Sequence, residues 1–216
     1  MTERGPTFEI GGQSLAPGSR ASVDLKLPGL YTKDPVTMPV HVIHGRQEGP
    51  VVFVSAAVHG DEINGVEIIR RLLHLPTLKR LKGTLLAVPI VNVFGFYNRS
   101  RYLPDRRDLN RSFPGSERGS LAARFGHVFM SQIVERANLG IDLHTAAIHR
   151  DNLPQIRVDF DDPTIEPLAK VFGAPVVLHS VPPDSSLRAA ASNVDAPVMV
   201  YEAGEALRFD EQSIHI

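Results

Sequence analysis

His59 and Glu62 share the tetrapeptide HGDE, which directly follows an apolar, β-branched run, VVFVSAAV, at residues 51–58. An imidazole and a carboxylate on so short a loop aim at one point, and two histidines, a glutamate and a water form one of the catalytic ligand sets of zinc. A second histidine is therefore required. His144 is the best placed of the others, because IDLHTA sets it at the end of another apolar run, with Asp142 near enough to orient its ring. A lone histidine at a strand end is more often an ordinary hydrogen-bonded residue, but three candidate ligands on one sheet edge shift that balance. His41, His44, His74, His127, His149, His179 and His215 lack such company and read as ordinary.

A hydrolytic centre also needs a base. Glu202, in YEAGE after the run PVMVY, brings a further carboxylate to what should be the same edge. Near a zinc-activated water it would take a proton and pass it to a leaving amine. Glu205 competes, and Glu202 is preferred because it is closer to the strand. The arginine-rich stretch 98–119 supplies Arg101, Arg106, Arg107 and Arg111 beside Asn110. Guanidinium groups grip a carboxylate in a bidentate fork and polarise a carbonyl, although most arginines of such a loop are solvated and salt-bridged.

These residues must be positioned by an α/β framework. The run 51–58 reads as a strand buried on both faces of a mostly parallel sheet. It is followed by Val66, Ile69, Leu72 and Leu73 at helical spacing, with Asp61 and Glu62 in the first turn. Strand, tight loop and helix in that order place ligands at the C-terminal edge of the sheet. Upstream, 39–43 reads as a short strand joined to 51–58 by a turn through Gly45 and Gly49-Pro50, hence a hairpin. Residues 84–93 read as another buried strand in which Pro89 marks an edge, a bulge or the strand's end.

The stretch 98–119 shows neither period and is expected to be a long functional loop. Leu121, Phe125, Val128, Phe129 and Val134 mark a helix with Gly140 as a plausible stop, followed by a short strand at 139–143. Further on, 163–172 and 185–191 read as helices, 175–178 and 197–201 as strands, and the closing FDEQSIHI as the start of a helix. The fold class is α/β, with a mixed, mostly parallel central sheet flanked by helices.

Composition agrees with one domain. The chain has 216 residues, 43% hydrophobic and 22% charged, with a formal net charge of -1. That gives no basic field for nucleic acid. There is no cysteine, so any metal must be held by histidine and carboxylate, which favours a catalytic over a structural zinc. The G-x-S-x-G elbow, the phosphate-binding P-loop and a dinucleotide fingerprint after a strand are all missing. MTERGPTFEIGG has no apolar signal core and no run is long enough to span a membrane, so the expected compartment is the cytoplasm. A flexible N-terminal segment of about twenty residues is expected ahead of the domain, and nothing in the pattern argues against a homo-oligomer.

HGDEINGVEIIRRL, DLNRSFPG, IDLHTA and YEAGE, in this order, resemble the succinylglutamate desuccinylase and aspartoacylase family, relatives of the zinc carboxypeptidases. The resemblance runs from about residue 39 to about residue 210. It implies one zinc per chain on His59, Glu62 and His144, Glu202 as general base, and Asn110 and Arg111 gripping the free carboxylate of a small substrate. Arg101 resembles the arginine that polarises the carbonyl, although its interval to DLNR is longer than in aspartoacylases, so Arg106 is the alternative. It further implies a C-terminal β-rich domain, which the 216 residues do not include. The implied reaction is hydrolysis of an N-acyl amino acid, with a carboxypeptidase or esterase using the same site, or a binding module without turnover, as alternatives.

Overall fold

The computed structural model describes residues 5–29 and 35–215. Its strands are β1 (Phe8–Ile10), β2 (Gln13–Leu15), β3 (Arg20–Leu27), β4 (Val36–His44), β5 (Gln47–Ala56), β6 (Lys82–Val88), β7 (Leu139–Ala146), β8 (Asn152–Val158), β9 (Val176–His179) and β10 (Val198–Glu205). The α-helices are α1 (Asn64–Leu72), α2 (Val93–Asn98), α3 (Leu121–Gln132), α4 (Ile165–Phe172), α5 (Leu187–Ser192) and α6 (Glu211–His215). An eight-stranded sheet runs in the order β3-β4-β6-β5-β7-β10-β8-β9, and β1 and β2 form a separate antiparallel pair. The centre is parallel, through β6, β5, β7 and β10, while β4 joins β6 and β8 joins β10 in antiparallel fashion. The sheet is mixed and helices cover it, as the alternating pattern implied.

Strand alternation sends successive side chains of β5 into two cores. Phe53 joins Phe125, Phe129, Leu86 and Val198 on one face, and Val54 and Ala56 join Ile69, Leu143, Ile156 and Met199 on the other. Phe53 meets Phe129 edge to face, with ring centroids 5.8 Å apart, the arrangement that aromatic quadrupoles favour. α3 and α5 close the first face, and α1 and α4 the second.

Several local readings change. β4 and β5 do not form a hairpin, because β6 lies between them and pairs with both. Adjacency in sequence was outweighed by the parallel pairing available to a strand buried on both faces. Pro89 follows the last residue of β6, so it ends the strand. Gly140 is not a helix stop. α3 ends at Gln132, and Gly140 lies inside β7, where an added Cβ would come 2.1 Å from Cζ of Phe53.

The N-terminal segment expected to be flexible carries β1 and β2 from Phe8 to Leu15, with Ile10 and Leu15 buried in the first core. Phe8 packs against the same core, and Nη1 of Arg136 donates to the Glu9 carbonyl at 2.8 Å. Residues 1–4 of that segment lie outside the described residues. Among the described residues no helix is long and apolar enough to cross a membrane.

Candidate metal centre and substrate cavity

β5 is bonded on both sides, to β6 and β7, so its C-terminal end is a rigid platform in mid-sheet. Beyond it Ala57 takes φ 50°, a left-handed conformation that costs energy in a non-glycine residue and is found where the surroundings enforce it. The carbonyls of Ala56 and Ala57 accept the backbone N–H groups of Val91 and Asn92, at 3.0 and 2.9 Å. Gly60 then presses against α2, where a Cβ would stand 1.9 Å from the carbonyl carbon of Gly95. The Glu62 N–H donates to the His59 carbonyl at 3.1 Å and α1 begins at Asn64. The loop is thereby locked with His59 and Glu62 turned inward.

His144 comes from β7, beside β5. Its Nδ1 lies 2.7 Å from Oε2 of Glu62, and Nδ1 of His59 lies 2.7 Å from Oε1 of the same carboxylate. The two rings sit 5.0 Å apart between centroids. One ligand atom from each of His59, Glu62 and His144 falls within 4.8 Å of the others, and all three residues are buried. Among the described residues this is the group that could hold a metal ion. The outer ring nitrogens are held too: Nε2 of His144 lies 2.6 Å from Oδ2 of Asp142, and Nε2 of His59 lies 3.1 Å from Oδ1 of Asp108. Outer carboxylates of this kind fix the orientation and basicity of ligand imidazoles.

Charge follows the same geometry. Burial pushes the Glu62 carboxyl up, but the imidazoles of His59 and His144 outweigh it and hold it far below the usual carboxylate range. Burial lowers His144, yet Asp142 and Glu62 together carry it well above the ordinary histidine value. Asp108 is likewise depressed against the effect of burial, by His59 and Arg101.

The arginine-rich stretch lies over this centre because Leu103, Leu109 and Phe113 anchor it in the first core. Arg101 reaches inward: its Nη2 donates to Oδ2 of Asp108 at 2.9 Å and its Nη1 to Oε1 of Glu62 at 3.3 Å. Arg106 stays outside. It is exposed, takes φ 60° in a turn closed by its N–H to the Leu103 carbonyl at 2.8 Å, and does not line the cavity. Of the two arginines, the fold therefore brings Arg101 to the cavity and leaves Arg106 in a turn at the surface.

Asn110 and Arg111 occupy a short helical turn and line the cavity with Arg101. The Asn110 side-chain oxygen accepts the Leu187 N–H at 2.8 Å, which ties this turn to the start of α5. The cavity, of about 330 Å³, also contains His59, Glu62, His144 and Glu202.

Glu202 and His144 do not lie past their strands, as the apolar runs implied. β10 continues to Glu205 between β7 and β8, and β7 continues to Ala146 by its pairing with β10, its ladder with β5 ending at Leu143. The two are register partners. Glu205 turns elsewhere, accepting the His149 N–H at 2.7 Å and pairing with Arg208 at 2.9 Å.

Asp108, Asn152, Arg157 and Arg188 also line or support this site without having been singled out in the sequence. Asp108 carries an Asx signature, its Oδ1 accepting the Asn110 N–H at 2.8 Å, but nothing local ties it to His59. For Arg157 a signal existed: NLPQIRV alternates with Pro154, Ile156 and Val158 buried, a strand pattern that places Gln155 and Arg157 on the opposite face, whereas the same alternation gives Asn152 the wrong parity.

Comparison with known proteins matches residues 48–216 to the succinylglutamate desuccinylase/aspartoacylase catalytic domain. An N-alpha-acetyl-L-2,4-diaminobutyric acid deacetylase of Halomonas elongata is 30% identical over 149 residues, 66% of this chain and 43% of that protein. A succinylglutamate desuccinylase of Pseudomonas aeruginosa is 30% identical over 122 residues, 50% of this chain and 35% of that one. The chain thus spans less than half of the curated relatives it matches. A product-bound structure of the ectoine utilization protein EutE (DoeB) from Ruegeria pomeroyi superposes with a TM-score of 0.84 at 24% identity, covering 100% of this chain and 67% of that one. A succinylglutamate desuccinylase/aspartoacylase structure from Rhodobacter sphaeroides gives 0.80 at 24% identity, over 99% of this chain and 65% of that one. The sheet and its flanking helices are those of this carboxypeptidase-like fold, and the chain belongs to the succinylglutamate desuccinylase/aspartoacylase family.

Proposed function

We propose that residues 1–216 act as one catalytic domain that hydrolyses the amide bond of a small N-acyl amino acid, with one zinc held by His59, Glu62 and His144. The donor set supports the metal: two imidazoles and a carboxylate, without thiolates, converge with their outer nitrogens held by Asp142 and Asp108. Zinc bound there supplies Lewis-acid activation of water and stabilises developing negative charge. The remaining work falls to the chain. Asn110 and Arg111 take the substrate's free carboxylate, Arg101 donates to the carbonyl oxygen, and Glu202 accepts the proton released by the attacking water and returns it to the leaving nitrogen.

The observation that carries this reading is the placement of Glu202 in register with His144, on the same cavity as Asn110 and Arg111. The relatives act on acetylated and succinylated amino acids by their names, and these define the substrates to try. Purified chain, with zinc content measured by elemental analysis, is assayed against N-acetyl and N-succinyl amino acids, with a peptide and an ester alongside. About one zinc per chain and release of a free amino group support the reading, and no zinc even after its addition overturns it.

A further inference from the structure

Glu202 is gripped by two residues of a strand that sequence motifs do not cover. The Asn152 side-chain nitrogen donates to its Oε2 at 2.7 Å and Nη2 of Arg157 meets the same oxygen at 2.9 Å. Both partners come from β8, the antiparallel neighbour of β10.

Their convergence needs an irregularity. Residues 152 and 157 are an odd number apart, and strand alternation would send their side chains to opposite faces. In the β8–β10 ladder Glu202 faces Gln155 whereas Gly204 faces Asn152, so Leu153 and Pro154 stand opposite the single residue Ala203. This is a bulge on β8, which reverses the side-chain parity beyond it. Pro154, which has no N–H to give the ladder, sits where the pairing is already interrupted. The bulge brings Asn152 onto the face of Arg157, and both line the cavity. Nε of Arg157 is buried without a hydrogen-bond partner, so the contact with Glu202 is what holds its head group among the described residues.

We propose that Asn152 and Arg157 are positioning residues for Glu202: both donors hold Oε2, which leaves Oε1 as the atom that takes the proton. This rests on Glu202 being the general base. A carboxylate free to rotate about its last bonds would present the accepting oxygen in the right place only part of the time, and small misplacements of a reacting group are costly.

The test is a pair of double-mutant cycles, Asn152→Ala and Arg157→Gln, each alone and combined with Glu202→Ala, assayed on the N-acyl amino acid that the unaltered chain hydrolyses fastest. Each single change is expected to lower kcat by roughly 10-fold or more with KM changed less, at unchanged zinc content, and to have no further effect in the Glu202→Ala background. Arg157→Lys should restore part of the loss. Equal losses in both backgrounds, or a rise in KM alone, would overturn the proposal by showing that these residues act on the substrate or the fold. Full activity of Glu202→Ala itself is a different pattern, which removes the base assignment and the clamp with it. The same cycles read by urea denaturation need no turnover. A non-additive shift in midpoint supports the clamp in solution, and strict additivity overturns it.

Discussion

Glu202 on β10 and His144 on β7 are register partners across a parallel pair, so a carboxylate and an imidazole that lie far apart in sequence share one face of the sheet. A carboxylate placed by the sheet, rather than by a loop, is held by backbone pairing on both flanks. Glu202→Gln is expected to keep its zinc while hydrolysis falls by roughly 10²-fold or more, because a proton acceptor and not a ligand is lost. Zinc content and kcat measured on the same preparation check this, and loss of zinc would contradict the assignment.

The proposed metal ligands should behave in the opposite way. His59→Ala and His144→Ala are expected to lose zinc outright, and Asp142→Ala, which removes the partner 2.6 Å from Nε2 of His144, should weaken zinc affinity by about 10- to 100-fold. Competition with a chelating dye measures all three. An Asp142 variant that binds zinc as tightly as the parent would show that the outer carboxylate is dispensable.

The two candidate arginines separate cleanly. Arg101 reaches Glu62 and Asp108 inside the cavity, whereas Arg106 is exposed in a turn. Arg101→Ala should reduce kcat/KM by roughly 10²-fold, the scale of losing one donor to a developing oxyanion, and Arg106→Ala should leave it within about two-fold, as a surface change away from the chemistry does. Steady-state kinetics of both variants settle the order.

Gly140 predicts a cost in stability with no direct catalytic role. An added Cβ would meet the Phe53 ring at 2.1 Å, and Phe53 is fully buried at the centre of the first core. Gly140→Ala is expected to destabilise the fold by about 1–3 kcal/mol, the usual range for overpacking. Urea unfolding measures it, and a neutral result would mean that Phe53 has room to move.

Tyr201 links β10 to α6, its hydroxyl donating to the Ser213 carbonyl at 2.7 Å. Burial, with Asp210 adding to it, pushes the phenol up to about 12 from its ordinary 10.0. A folded value above the unfolded one means that the neutral phenol's contribution is fully present below about 10 and is lost as pH rises through about 12. Stability should therefore decline across that window, and Tyr201→Phe should flatten the decline while losing roughly 1 kcal/mol at neutral pH. Thermal melts across the alkaline range test both.

Local pattern was enough for the α/β class, for the buried strand before HGDE, and for singling out His59, Glu62, His144 and Glu202, which the fold brings to one cavity, because apolar runs, turn residues and short motifs are properties of neighbouring residues. Strand order was not legible. The insertion of β6 between β4 and β5, and of β8 between β10 and β9, depends on which distant edges pair most favourably once the cores form. For the same reason Arg101 and Arg106 looked alike along the chain, and a single turn separates them. Asp108 became a partner of His59, and Asn152 and Arg157 partners of Glu202, only where folding brought the strands and the arginine-rich loop together. Candidate residues are picked out by type and spacing, while the contacts that orient them arise from long-range packing, which no window of sequence contains.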